Sequence, residues 1–167
     1  MDFLNLDTLN HDVLFHLFLH SSPKDLSSLL QVNKKFNLII SEDIFWREKA
    51  IFDGFLLDSD RSYFPNGLSR SKYLIFYRHR NDRYRTDYIT TDAAFGGHKD
   101  IVEMMLKKGA IDYGEAMMAA ARGGHKDIVE RMLDLGATEY DNAMIKAVVG
   151  GHKEIKELIQ RWKDKKR

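Results

Sequence analysis

Three histidines recur in one setting. His98, His125 and His152 each follow a Gly-Gly pair and stand two residues before an acid, Asp100, Asp127 and Glu154. An imidazole near a carboxylate suits a general base or a metal ligand. Catalysis, however, needs groups that converge on one point. One histidine per unit, at the same place in every unit, implies a repeated structural task such as bonding to loop backbone. The chain has no cysteine, which removes thiol nucleophiles, disulfides and cysteine-based zinc sites. Phosphate-cradling Gly-rich loops, His-Glu-x-x-His pairs and serine-nucleophile elbows are also missing. The expectation is a protein that is not an enzyme and holds no metal and no cofactor.

A second chemistry to weigh is nucleic-acid binding by the stretch from Arg70 to Arg85. There Arg70, Lys72, Arg78, Arg80, Arg83 and Arg85 interleave with Tyr73, Phe76, Tyr77 and Tyr84. Lys plus Arg total 26 against 25 for Asp plus Glu, a net charge of +1, so no general field draws the chain onto a polyanion. The favoured reading is a helix over Ser71 to Arg80 with its aromatics inward and its charges in water, capping the helices C-terminal to it. The basic end, Lys163 to Arg167, reads as a solvated terminus that also admits a nuclear address.

The elements that position these residues are set by a repeat. Gly96-Gly97-His98-Lys99-Asp100-Ile101-Val102-Glu103 returns from Gly123 and again, as far as Ile155, from Gly150, at a constant step of 27 residues. Ala93, Ala120 and Ala147 keep the step, as do Gly109-Ala110 and Gly136-Ala137; Leu106 and Leu133 keep it, with Ile159 one residue off. A fixed period of this size marks a stack of units. Each unit reads as two helices. The first is short and alanine-rich, with Ala116, Ala119, Ala120 and Ala121, which lets a neighbour approach closely. The second places Ile101, Val102, Met105 and Leu106 on one face and ends at Gly109. No unit can bury that stripe alone, so the three must share one core. In the last unit Lys156 replaces Val102 and Val129, a polar face of the kind a terminal unit requires.

Ala120-Ala121-Arg122-Gly123-Gly124-His125 and the closing Gly136-Ala137 resemble the core of ankyrin repeats, over residues 86–166. The period is shorter than the usual one of about 33 residues. Glu115-Ala116-Met117-Met118 and Asn142-Ala143-Met144-Ile145 stand where that family has Thr-Pro-Leu-His. Shortened repeats of this kind are similar to those encoded by large DNA viruses. The resemblance implies ligand contacts before each first helix and just after its alanines, here Asp87, Phe95, Gly114, Arg122, Asp141 and Val149.

The N-terminal segment has another rhythm. A first apolar stretch carries Leu9, Val13, Leu14, Leu17 and Phe18 and stops at Ser21-Ser22-Pro23. Ser22 reads as an N-cap, Pro23 as the first helical residue and Asp25 as the acid of the first turn, opening a stretch with Leu26, Leu29 and Leu30. Phe36, Ile39 and Ile40 belong to a third stretch, and Ile44 and Trp46 to a fourth. Pro23-Lys24-Asp25-Leu26, Leu29, Val32, Phe36, Ile39 and Phe45-Trp46 resemble an F-box, the helical motif that binds the Skp-family adaptor of cullin ubiquitin ligases. Asn10 stands where the family usually has proline, and Asn33 where cysteine is common. The resemblance implies an adaptor-binding set of Leu9, Val13, Leu14, Leu17, Pro23, Leu26, Leu29, Val32 and Trp46. Residue by residue, the same stretches also suit helices that merely cover the open end of the repeat stack; they outnumber what a cap needs, which favours docking.

The expected fold is therefore all-α: an F-box-like helical unit over 1–50, a linker and capping helix over 51–85, and an ankyrin-type helical solenoid of three repeats over 86–167. The expected function is that of a protein-interaction adaptor, a substrate-recognition subunit whose partners are a Skp-family adaptor and an unidentified protein target, monomeric on its own. The alternative is an ankyrin scaffold that binds a host factor without ligase coupling. Met1 to Asp7 carries acids where a secretory signal has Lys or Arg, and no apolar run reaches bilayer length. Those features predict no membrane partner and a cytoplasmic location, the host cytosol on the viral resemblance, with the nucleus also open to it.

Overall fold

The computed structural model describes residues 10–29, 31, 34–80 and 85–166. Among these residues every regular element is helical, as the periodicities predict. The chain separates into two units, Met1–Tyr77 and Arg78–Arg167.

In the first unit α1 spans His11–Leu19, α2 Pro23–Leu29, α3 Lys34–Ile40, α4 Asp43–Phe52 and α5 Arg70–Arg78, with a 3-10 turn at Asp58–Tyr63 between the last two. Local chemistry starts each of the first two helices. The Asn10 side chain accepts a bond from the Val13 amide at 2.9 Å. Ser22 Oγ accepts from the Asp25 amide at 3.2 Å and donates to the Asp25 carboxylate at 2.6 Å, with Pro23 opening the helix as expected. A capping residue that satisfies an orphan amide adds about 1 kcal/mol. Leu14, Leu26, Phe36, Ile39, Ile40, Phe45 and Trp46 form the core. Phe18 meets Phe36 edge-on, ring centres 5.3 Å apart, and Phe15 meets Phe45 at the same separation. The buried indole of Trp46 donates to the Ile40 carbonyl at 2.7 Å.

Helix α5 turns its aromatic residues into the first unit. Tyr73 lies 4.9 Å from the Trp46 ring, and Tyr73 and Tyr77 both face Phe55, so its aromatics complete the core of the first unit and the division falls after Tyr77. A buried polar cluster fixes this packing. Lys49 Nζ donates to the Leu19 carbonyl and to Asp53, each at 2.7 Å, and the Tyr73 hydroxyl donates to the other Asp53 oxygen at 2.5 Å. The Pro65-Asn66-Gly67 break returns the chain to α4: Leu68 donates its amide to the Asp43 carbonyl at 2.7 Å. Gly67 has φ +103°, and a Cβ there would overlap the Asp43 backbone, so the turn demands glycine.

In the second unit three first helices, α6 Arg85–Phe95, α8 Tyr113–Gly123 and α10 Tyr140–Val149, alternate with three second helices, α7 Lys99–Lys107, α9 Lys126–Asp134 and α11 Lys153–Lys165. Each first helix packs on its own second helix, and α6, α8 and α10 lie side by side in that order. Alanine explains the close approach: Ala93, Ala94, Ala116, Ala120, Ala121, Ala143 and Ala147 are all fully buried. The second helices bury Ile101, Val102, Ile128, Val129, Ile155 and Ile159 behind them. In α7 the buried stripe takes in Met104, whereas Leu106 is half-buried, a shift of the predicted face toward the helix start.

Candidate interaction surfaces

Helix α1 splits its apolar residues between two sides. Leu14 and Phe18 turn into the core, while Val13 is 42% and Leu17 44% exposed, lining a shallow cleft with Asp12, His16 and His20. The residues of the expected adaptor-binding set thus differ in exposure. Leu14, Leu26 and Trp46 are fully buried and Pro23 is buried, because each lies on the side of its helix that meets the domain core. Leu29 is half-buried; Leu9 and Val32 lie outside the described residues. Leu38, Ile44 and Phe52, each about half exposed or more, are further apolar side chains on this unit's surface. The sequence pattern assigns Ile44 to a helix and gives no signal for the other two.

Beside this surface an ionic cluster ties α4 to the 3-10 turn. Arg61 grips Glu48 through both terminal guanidinium nitrogens, one bond at 2.7 Å, and Arg47 adds a bond at 3.1 Å. Burial works to raise the Glu48 carboxyl, but the bonds and charges of Arg61 and Arg47 outweigh it and hold it below the ordinary carboxylate value.

The six positions expected to contact a target divide in two. Phe95, Arg122 and Val149 occupy one register position in successive first helices and are exposed, Val149 by 67%. The Arg122 guanidinium sits 5.8 Å above the Phe95 ring, and a polar concavity containing Glu115, Met118 and Lys146 adjoins them. Their counterparts at the helix starts are occupied with structure. Asp87 accepts the amides of Ile111 at 2.9 Å and Asp112 at 3.2 Å, fastening the next loop. Gly114 is buried, and a Cβ there would collide with the Glu139 carboxylate. Asp141 remains exposed but pairs with Lys163 at 2.5 Å. Asp87 thus satisfies two loop amides that would otherwise lack a partner in the chain.

The histidines join consecutive units. His125 Nε2 lies 3.0 Å from the Phe95 carbonyl oxygen of the preceding unit, a bond to loop backbone of the kind the repeat predicts. Gly97, at φ +73°, and Gly124, at φ +87°, leave the notches that the rings of His125 and His152 fill; a Cβ at either would overlap the imidazole. Among the described residues no three acidic or imidazole side chains converge as a metal site.

The basic stretch is similarly engaged. Arg70 bonds Ser27 Oγ and lies 5.8 Å from the Trp46 ring centre, Lys72 stands 5.9 Å from that of Phe64, and Arg78 pairs with Asp92. Arg83 and Tyr84 lie outside the described residues.

No helix among the described residues is long and apolar enough to cross a membrane. No curated protein and no solved structure matches the chain. Residues 7–51, which contain α1 to α3 and all of α4 but its last residue, match the family model of the F-box-like domain. The chain is all-helical among its described residues, and its N-terminal segment is an F-box-like domain.

Proposed function

We propose that this chain is a protein-interaction adaptor in which the F-box-like domain docks a Skp-family adaptor of a cullin ubiquitin ligase and the C-terminal unit holds a target. The observation that carries the reading is the family match over residues 7–51 on a domain that leaves Val13 and Leu17 outside its own core. Those two residues, one helical turn apart, would lie against a partner helix. We read the second unit as three shortened ankyrin-type repeats, a reading supported by the 27-residue step, the side-by-side first helices and the histidine that joins consecutive units. Phe95, Arg122 and Val149 are its target-facing row. The mechanism is proximity: a bound target is concentrated beside the ligase, and the chain, having no cysteine, carries no ubiquitin thioester of its own.

Co-purification with a Skp-family adaptor tests this. The double variant Val13→Asp, Leu17→Asp changes only exposed positions, so it should keep the wild-type helical content and thermal midpoint while binding falls about tenfold or more. A wild-type chain that does not bind the adaptor would leave a repeat scaffold without ligase coupling.

A further inference from the structure

The end of the helix row at α10 is built differently from its interior. One 27-residue step before Val148 stands Ala121, and one before that Ala94; both are fully buried, Ala94 on α6 where α8 follows and Ala121 on α8 where α10 follows. Met144 occupies the place of Met117 and Thr90, which are buried in the same way. On α10 this side is open: Ile145 is 60% and Val148 55% exposed, Met144 is half-buried, and together with Val149 they line a groove of about 350 Å³ whose one acid, Asp141, is neutralised by Lys163.

The neighbouring helix α11 does not match. Its Lys156 and Gln160 face the groove in place of Val129 and Leu133, which are buried in the preceding unit. Gln160 donates to Asp164 at 3.0 Å, and among the described residues Lys156 has no ion-pair partner. A complete two-helix unit stacked here would press its second helix onto Lys156 and Gln160, where the preceding unit offers Val129 and Leu133, and would have to desolvate the ammonium group. A single helix laid along α10 buries the apolar stripe and leaves Lys156 at its edge.

We infer that the groove formed by Met144, Ile145, Val148 and Val149 binds one amphipathic helix of a partner protein, seated where a next first helix would lie, with acidic side chains along the edge that meets Lys156. The apolar stripe has the i, i+1, i+4, i+5 spacing of a helix-on-helix seam, and the occupant's acids are selected by the uncompensated cation. The site is independent of docking by the first unit.

The test pans a displayed library of helix-constrained peptides, randomised on one face and flank, against the full chain. Enriched peptides should carry an apolar stripe flanked by Asp or Glu. Val148→Asp should weaken them about tenfold or more, since it places a charge at the centre of the contact. Lys156→Glu should shift the enriched flank from acidic to basic, an outcome a merely structural role for Lys156 would not produce. Three outcomes overturn the inference: no enriched helix, peptides that bind Val148→Asp as well as wild type, or a flank preference unmoved by Lys156→Glu. A concentration-dependent dimer in light scattering that Val148→Asp abolishes would also overturn it, in favour of a second copy on this face.

Discussion

His125 and Gly97 fit together as ring and notch: the imidazole from one unit occupies the space that the missing side chain of the preceding unit leaves, with its Nε2 on the Phe95 carbonyl. His125→Ala removes that bond and empties the notch, and should cost about 1 kcal/mol in urea unfolding. Gly97→Ala strains a positive φ and strikes the ring, and should cost more. The two changes must couple. In the His125→Ala background the ring is gone, so Gly97→Ala should lose part of its penalty; strictly additive costs would refute the contact as an energetic link.

Helix α1 offers a contrast within one turn. Leu14→Ala empties a fully buried site and should destabilise the chain by about 2–5 kcal/mol. Val13→Ala and Leu17→Ala should stay within about 0.5 kcal/mol, because their side chains already meet water. Thermal melts followed by circular dichroism separate the two behaviours.

The Lys49 ammonium serves two acceptors inside the first unit. Lys49→Met keeps the length of the side chain but leaves the Leu19 carbonyl and one Asp53 oxygen without their donor, and should cost about 2 kcal/mol or more. Tyr73→Phe, which removes only the second donor to Asp53, should cost about 1 kcal/mol. If Lys49→Met melted like wild type, the cluster would be incidental to folding.

Acid should act through Glu48. Its folded carboxyl titrates below the ordinary value of about 4.3, so the folded state binds fewer protons there than the unfolded chain does. The stabilisation is therefore complete above that ordinary value and disappears as pH falls through the lower, folded one. Against Glu48→Gln, the wild type should hold its full advantage in urea midpoint at pH 7 and lose it progressively below about pH 4. An advantage unchanged down to pH 2 would exclude Glu48 as the titrating group.

Much of this architecture can be read along the chain. The Ser22-Pro23-Asp25 start, the two-helix units and the joining histidines all follow from local spacing, because caps and repeats are short-range devices. The side to which a residue turns, and the partner it finds far away, are not legible in the same way. Leu14 and Val13 are adjacent and both apolar, and only the positions of α3 and α4 decide which of them is core. Tyr73 carries no mark that its ring belongs on Trp46, nor Arg61 that its carboxylate is Glu48, since those pairs are closed by the fold over 27 and 13 residues. Asp87 reads as a ligand contact from its place before a helix, but the two loop amides that claim it lie 24 and 25 residues on.

The notch at Gly97 and the ring that enters it belong to different units, and Gly124 repeats the same notch for His152. Socket and plug are therefore carried by every copy in the same places. Removing one whole 27-residue period, from 111 to 137, would bring His152 to the notch of Gly97 with no new joint to invent, and inserting a period would add one more identical coupling. The length of this helical stack is thus adjustable in whole steps, and any recombination out of phase with the period leaves a plug without its socket.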